Sequence, residues 1–304
     1  MRALSVGMAA LSLMMMFWPG ARAARPRRKV RMPNEQEIRK MQEAAPDTAP
    51  AKPAKPRTVL VWGHVWTHQP NPFANKALEI LGQKTGAFKA VVSDDPALLL
   101  PDKIRQYDAI VMNNIHERDP FLPAGLGKLP KDQQEAAREQ DKAIKKSILD
   151  FVTGGKGIVG IHAATAAFQN WPEYGEMMGG YYGGHIMQDV PIKLDDPKHP
   201  VNACFKAKGF RIRDEIYLFR GPHSRKTLRI LLSLDLSRMK DPGKRPDKDY
   251  AVSWVRQYGK GRVFYCSLGH AAETYWNPLI LKHFLAGIQF ALGDLPGETA
   301  PSAE

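Results

Sequence analysis

Polar side chains that follow short apolar runs are the most informative chemical feature of this sequence. Five of its nine histidines and two asparagines stand just after runs that are typical of buried parallel strands. These residues are His64, His68, Asn113, Asn114, His116, His162 and His270. Ligands bind at the carboxyl ends of parallel strands in open α/β sheets. A single such histidine is usually structural, but the joint pattern predicts one shared pocket.

His162 directly follows the apolar run Ile158–Ile161. We expect a helix to begin after this turn, and its N–H groups and dipole would disfavour an imidazolium there. A neutral imidazole can act as a general base or as a metal ligand. The structural alternative is an imidazole that only closes the turn through a hydrogen bond.

Carboxylates that could share proton transfers with these histidines occur in two segments. Asp214, Glu215 and Tyr217 form an Asp-Glu-x-Tyr element, and on a strand Glu215 and Tyr217 would share one face. An exposed strand with a salt-bridged carboxylate is the structural alternative. Glu273 follows His270 by three residues. The predicted catalytic residues are His162, His270, Glu215 and Glu273.

Other polar and aromatic residues near these motifs are predicted to bind substrate. Aromatic rings pack against the C–H faces of sugars in mostly apolar pockets, and Trp66 and Tyr181 suit that role best. The predicted substrate-binding residues are His64, His68, Trp66, Asn114, His116, Tyr181, His185, Asp214 and Tyr217. The sequence contains no HExxH motif that would indicate a metal site, although a fold can bring together ligands that are distant in sequence. The cofactor therefore stays open, with a divalent metal as the candidate.

The elements that must position these residues alternate between strands and helices in the first half of the chain. Strands are predicted at 58–62, 88–92, 107–112 and 158–161, and helices at 75–85 and 131–152. This alternation favours an α/β fold with a doubly wound, mostly parallel sheet and helices on both faces. The second half is more β-rich, with a hairpin at 251–257 and 262–268 and a closing helix at 278–292. The stretch from about 190 to 245 is expected to hold further strands and loops.

The two ends of the chain differ in composition from its centre. Arg2, an uncharged apolar stretch at 3–18 and Ala21-Arg22-Ala23 predict a cleaved signal peptide at 1–23, and hence export to the periplasm or the extracellular space. Residues 24–57 predict a basic, disordered linker rich in Pro, Ala and Lys. The predicted domain spans 58–294, and a polar tail follows at 295–304.

Charge and cysteine content bound the partners. The first 57 residues hold 12 Lys/Arg and 4 Asp/Glu, so they carry +8 of the formal +13. A solvated region after a processing site explains this better than binding to nucleic acid or anionic lipid. We therefore expect no specific nucleic acid and no stable membrane anchor after cleavage. Cys204 and Cys266 are the only cysteines, and either a disulfide or buried free thiols would fit them.

Three segments together resemble the ThuA-like family, which is named for trehalose utilisation. They read GGKGIVGIH at 154–162, DEIY at 214–217 and GKGRVFYCSLGH at 259–270. The resemblance covers about residues 57–294 and implies a flavodoxin-like sheet of the class I glutamine amidotransferase type. In that larger group a nucleophilic cysteine occupies a sharp strand-to-helix turn, where this chain has His162. A thiolate mechanism needs the sulfur, so we do not expect a glutamine amidotransferase. The family also implies a site role for His185.

These observations predict an exported enzyme that acts on a carbohydrate, such as a keto-sugar or a glycoside, by His/Glu acid–base chemistry. Hydrolysis, elimination and isomerisation all remain open. The alternative is a sugar-binding protein without catalysis. In both hypotheses the partner is a small-molecule carbohydrate.

Overall fold

The fold is built on one mixed sheet. We describe it from a computed structural model, which covers residues 30–64, 68–241, 243 and 245–301. The predicted signal peptide and Trp66 lie outside these described residues. The strands are β1 Thr58–Trp62, β2 Lys89–Ser93, β3 Ala109–Asn113, β4 Gly157–Ile161, β5 Tyr181–Leu194, β6 Phe210–Arg220, β7 Arg229–Leu234, β8 Ala251–Tyr258 and β9 Gly261–Cys266.

The sheet has a parallel half and an antiparallel half. Its nine described strands lie in the order β2-β1-β3-β4-β9-β8-β7-β5-β6. Strands β2, β1, β3, β4 and β9 are parallel to one another. Strands β8, β7, β5 and β6 continue the sheet in antiparallel pairs. The carboxyl ends of the parallel strands therefore meet at one edge, as expected for a binding site in an α/β sheet.

Helices cover both faces of the sheet. They are α1 Glu35–Ala44, α2 Asn71–Thr85, α3 Pro101–Ile104, α4 Lys131–Thr153, α5 Pro172–Met178 and α6 Pro278–Ala291. Successive strand residues point to opposite faces, so Val59 and Val61 of β1 join one core while Leu60 and Trp62 join the other. The first core includes side chains of α1, α2 and α6, and the second includes those of α3, α4 and α5. Within the described ranges, no helix has both the length and the apolar character needed to span a membrane.

Residues 30–57, the described part of the segment before β1, correct the prediction of a disordered linker at 24–57. The Asn34 side chain accepts the Glu37 N–H, and the Glu37 carboxylate accepts the Asn34 N–H, each at 2.9 Å. This capping box starts α1. Met41 is completely buried in the core, and Ala51 exchanges two hydrogen bonds with Gln289 of α6. The segment therefore packs onto the domain, because its capping and apolar residues outweigh its Pro, Ala and Lys content.

The end of the chain also packs further than predicted. Leu295 is buried in the core, and the His199 ring contacts the Glu298 carbonyl at 3.1 Å. Arg229 donates to the Ala300 carbonyl at 3.0 Å. The predicted polar tail at 295–304 is therefore held against the domain up to residue 300, since side chains of the domain satisfy its carbonyls.

The β5–β6 ribbon crosses the carboxyl ends of the parallel strands. Strand β5 pairs with β6 from Tyr181 to Ile192, but with β7 only from Ile192 to Leu194. The rest of the ribbon is thus not tied to the neighbouring strand. Glu215, in the middle of β6, contacts residues that follow β4 and β9. This crossing brings the carboxylate to the histidines.

Candidate active site

His162 occupies a turn of unfavourable backbone geometry directly after β4. Its φ is +47°, in the left-handed region, which costs a non-glycine residue about 1–3 kcal/mol. The side chain is completely buried, and the Tyr265 hydroxyl donates to the His162 carbonyl at 2.6 Å. The element that follows is a four-residue 3-10 turn rather than an α-helix. The predicted helix-dipole effect on His162 is therefore wrong.

A backbone carbonyl sets the tautomer of His162 instead. Its Nδ1 lies 2.7 Å from the Ser267 carbonyl oxygen, which can only accept a hydrogen bond. Nδ1 therefore carries the proton, and in the neutral ring Nε2 carries the lone pair. Nε2 stands 3.2 Å from Glu215 Oε2 but makes no aligned hydrogen bond.

Glu215 is the centre of the site because three imidazoles converge on its carboxylate. His162 Nε2 and His270 Nδ1 lie 3.2 and 3.3 Å from Oε2, and His185 Nε2 lies 3.3 Å from Oε1. Burial alone would raise the pKa of Glu215, but the contacts with His162 and His270 outweigh it and hold the pKa well below its usual range. The same contact with Glu215 raises the pKa of His270. The carboxylate therefore stays ionised and favours a protonated His270.

The structure places His162 and His270 in one cleft, as the strand-end pattern predicts. Their ring centroids lie 5.3 Å apart, although 108 positions separate them in sequence. His68 joins them, with its ring centroid 5.3 Å from His162 and 5.2 Å from His270. Burial lowers the pKa of His68 to about 3, with further lowering by the neighbouring histidines. His68 is therefore neutral near pH 7, and its buried Nδ1 makes no hydrogen bond with any residue that the structure describes.

Asp214 has a different position from the one predicted. Its carboxylate is completely buried and accepts five hydrogen bonds of 2.8–3.1 Å from protein groups. The donors are the backbone N–H groups of Glu215, Gly269, His270 and Ala271 and the hydroxyl of Thr274. The prediction that Asp214 binds substrate is therefore wrong, because protein donors already fill its acceptor sites. Asp214 instead positions the loop that carries His270.

A second carboxylate, Glu117, was not predicted. It contacts His64 Nδ1 and accepts the backbone N–H of His116 at 3.1 Å. Burial would raise the pKa of Glu117, but its contacts with His116 and His64 lower it well below the usual range. The His116 ring in turn lies 5.4 Å from His68. Glu117 could have been identified from its position in the sequence, since it directly follows the strand-end residue His116.

Asn114 lies beside the cleft, completely buried with φ +52°. Its amide donates to the Tyr275 hydroxyl at 2.9 Å, while its side-chain oxygen accepts no hydrogen bond from the described part of the chain. Asparagine tolerates this left-handed backbone better than most residues.

Aromatic rings form one wall of the site. The Tyr217 ring centroid lies 4.4 Å from His162 and 4.5 Å from Tyr182. The Tyr182 hydroxyl contacts His185 Nδ1 at 2.7 Å. Tyr182 was not predicted, although it could have been identified from its position three residues before His185 in the Tyr-Tyr-Gly-Gly-His segment. His185 therefore links Glu215 to a half-buried tyrosine at the rim.

Two predicted site residues lie outside this cluster. The Tyr181 hydroxyl donates to the Trp171 carbonyl and accepts the Gly175 N–H, so the ring is a packing residue. Glu273 is exposed, and its charge helps to raise the pKa of Arg31. It does not reach Asp214, because the 3-10 turn that begins at Ala272 directs the Thr274 hydroxyl there instead. A catalytic role for Glu273 and a ligand contact for Tyr181 are therefore corrected.

Neither cysteine is placed to act as a nucleophile. Both are free, which excludes the disulfide alternative. Burial raises the pKa of both Cys204 and Cys266 to about 12, so neither forms a thiolate readily near neutral pH.

The fold and the strand-end site define a mixed α/β protein with a histidine-rich cleft. A sequence model of the ThuA family, described as trehalose utilisation, matches residues 58–291, and the chain belongs to this family. That description suggests a carbohydrate-related role. None of the curated proteins compared with the chain matches it.

Two solved structures of ThuA-like proteins share the fold. The one from Bacteroides uniformis is 22% identical with a TM-score of 0.56, and the match covers 77% of this chain and 93% of that chain. The one from Parabacteroides merdae is 18% identical with a TM-score of 0.55, covering 82% of this chain and 95% of that chain. At these identities the likeness concerns the fold alone.

Proposed function

We propose that this protein is an enzyme that acts on a carbohydrate, with proton transfers carried out at Glu215 and the imidazoles around it. The observation that carries the proposal is the convergence of His162, His185 and His270 on one carboxylate, at 3.2–3.3 Å. General acid–base catalysis needs proton donors and acceptors within such reach of one another. The family description supports the substrate class.

The site favours a keto-sugar over a simple glycoside. Glycoside hydrolysis usually uses two carboxylates on opposite sides of the bond, whereas Glu215 is surrounded by imidazoles. An imidazole–carboxylate pair suits removal of a proton next to a carbonyl group. The rings of Tyr217 and Tyr182 offer apolar faces for a sugar, and the partly exposed His116 beside His68 offers a polar group at its edge.

The strand order supports a further proposal about the fold. The sequence β2-β1-β3-β4 followed by β9 in the parallel half corresponds to a flavodoxin-like arrangement. The turn after β4 then stands where amidotransferase-type proteins hold their nucleophile. We therefore propose that this chain keeps that general arrangement with His162 in place of the cysteine.

The proposed function is tested by incubating the purified protein with keto-disaccharides and their parent disaccharides, and by analysing the sugars formed. Glu215→Gln should lower kcat/KM by about 10²–10⁴-fold, as expected for loss of a general acid–base group. Glu139→Gln on α4 is the matched control, because its carboxylate is exposed and remote from the cleft. Saturable sugar binding without turnover across the panel would instead support the sugar-binding alternative.

We also propose export, on the strength of Arg2, the apolar stretch at 3–18 and Ala21-Arg22-Ala23. The mature protein should then begin near Ala24 and occur outside the cytoplasm. N-terminal sequencing of material from the periplasm or the medium tests this, and an intact Met1 there would contradict cleavage.

A further inference from the structure

We propose that His68, His162 and His270, with Glu215 beside them, form a binding site for a divalent transition-metal ion such as Zn²⁺. The inference rests on the proposed function in that it assigns an ion to the same cleft. It concerns binding, however, and can be measured without any sugar.

The first support is the convergence of donor atoms. Each of the three histidines offers one ring nitrogen, and these nitrogens all lie within 4.8 Å of one another. Nitrogens that share a zinc ion at about 2.1 Å stand about 3–4 Å apart, so the rings would draw together slightly on binding. Oε2 of Glu215 lies 3.2–3.3 Å from two of these rings and offers an oxygen ligand.

The second support is that each of the three imidazoles has a buried ring nitrogen that makes no aligned hydrogen bond within the described residues. These atoms are His68 Nδ1, His162 Nε2 and His270 Nδ1, of which the last two lie 3.2–3.3 Å from Glu215 Oε2. Buried polar atoms usually make well-aligned hydrogen bonds, so three exceptions on adjacent rings require an explanation. His162 is completely buried, and its other nitrogen is held by the Ser267 carbonyl. Its lone pair therefore points to the cluster, as expected of a metal-binding histidine whose second nitrogen donates to a carbonyl.

The charge balance of the cluster also favours a cation. The three ring centroids lie within 5.2–5.3 Å of one another, so several imidazolium charges would repel strongly in a buried site. Glu215 contacts two of these rings, and its single negative charge offsets only one such positive charge. Three ring nitrogens beside one carboxylate oxygen form a donor set that a divalent ion would complete.

The surrounding structure holds two of the ligands rigidly. Asp214 binds the backbone N–H groups of Gly269, His270 and Ala271, and so fixes the origin of the His270 side chain. Ser267 fixes the His162 ring. Such support orients ligands before an ion arrives, which lowers the cost of binding.

The donor types select the class of ion. Imidazole nitrogen suits zinc, copper, iron and nickel, whereas Mg²⁺ and Ca²⁺ prefer oxygen ligands. We therefore expect Zn²⁺ to bind and Mg²⁺ not to bind. If the three histidines and Glu215 Oε2 held an ion, His185, which lies 3.3 Å from the other oxygen of Glu215, would remain for the proton transfers of the proposed function.

The test is a calorimetric titration of the untagged, full-length, chelator-treated protein with ZnCl₂, and with MgCl₂ as the negative arm. Elemental analysis of protein purified without chelator gives the resident metal. His68→Gln and His270→Gln each remove one ligand, and His199→Gln is the matched control because that imidazole lies against the C-terminal segment. His162→Asn serves as a third variant, since asparagine tolerates the left-handed backbone at this position.

We expect one Zn²⁺ per wild-type chain, with affinity reduced at least about 10–100-fold in the His68 and His270 variants and unchanged in His199→Gln. Zn²⁺ should also raise the unfolding temperature of the wild type but not of these two variants. Absence of Zn²⁺ binding, or equal binding by all variants with native circular dichroism, would overturn the inference. Sugar turnover that persists in metal-free protein would support the proposed function without the ion. Zn²⁺ binding without turnover would support the metal site and contradict the proposed function.

Discussion

Asp214→Asn is the sharpest test of how the site is built, because the Asp214 carboxylate holds the backbone of Glu215 and His270 through hydrogen bonds. The substitution keeps the shape of the side chain and removes its charge. Oδ1 accepts the N–H groups of Glu215, His270 and Ala271 in the native protein, and the amide oxygen can still accept them. The amide NH₂ then replaces Oδ2.

The expected loss of stability follows from the two bonds at Oδ2. The Gly269 N–H and the Thr274 hydroxyl both donate to this atom at 2.8 Å. Thr274 can rotate its hydroxyl and accept instead, but the Gly269 N–H then faces another donor in a buried position. Hydrogen bonds to charged groups contribute about 1.5–3 kcal/mol each, and an orphaned buried N–H costs about 1–3 kcal/mol. We therefore expect Asp214→Asn to lower the free energy of unfolding by about 3 kcal/mol.

Urea denaturation followed by circular dichroism measures this loss, and Thr274→Val is the matched comparison. Thr274→Val removes only one of the two bonds at Oδ2 and should cost about half as much. Asp214→Asn should also weaken ligand binding at the cleft, because the loop that carries His270 loses its anchor. A change in unfolding free energy below about 1 kcal/mol would refute the positioning role of Asp214.

Three further predictions concern parts of the fold away from the cleft. Met41→Ala should lower the free energy of unfolding by about 2–5 kcal/mol in urea denaturation because Met41 is completely buried, whereas Met32→Ala, at a position 62% exposed, should change it little. Burial lowers the pKa of His283 from 6.5 to about 4, so the folded state disfavours its protonation. The stability from the neutral ring is therefore complete above pH 6.5 and falls by about 3 kcal/mol as the pH drops to 4, and His283→Gln should lack this part of the pH dependence. Because burial raises the pKa of Cys204 and Cys266 to about 12, both should react with a thiol reagent at pH 7.5 only after denaturation, and fast reaction of the native protein would contradict their burial.

The parallel strands could be predicted from the sequence because burial on both faces leaves a nearly continuous apolar run. Strand β1 is Thr-Val-Leu-Val-Trp, with four of five side chains buried, and β4 is buried throughout. Their boundaries agree with the predicted ones to within one residue. The side chains that follow them also fall where predicted, since strand ends in a parallel sheet share one edge.

The β5–β6 ribbon could not be predicted in the same way. Strand β5 alternates between intermediate and exposed positions through Gly183, His185 and Met187, and a register shift lies between Tyr182 and Gly184. The segment therefore has the composition of a loop and the backbone of a strand. Its partner β6 reaches the cleft through Glu215 only because the ribbon crosses over the sheet. That crossing depends on tertiary packing, which local sequence patterns do not reveal.

Helix α1 shows the opposite case, in which a local signal is present but composition points elsewhere. The Asn34-x-x-Glu37 capping box and the spacing of Ile38 and Met41 indicate a short amphipathic helix. Flanking Pro, Ala and Lys residues indicate disorder. Burial of Met41 settles the matter, because the helix is stabilised by packing on the domain rather than by its own propensity.

The backbone around His162 explains why the cleft is built from irregular segments. His162 has φ +47°, and Gly269 opposite it has φ +132°. A Cβ at Gly269 would lie 2.6 Å from the Tyr275 hydroxyl and 3.3 Å from the Cβ of His162, so only glycine allows the two turns to approach. That approach lets the Ser267 carbonyl reach His162 Nδ1 and brings His270 to Glu215. Backbone strain after β4 and a glycine after β9 are thus two conditions for a single geometry, in which both imidazoles face one carboxylate.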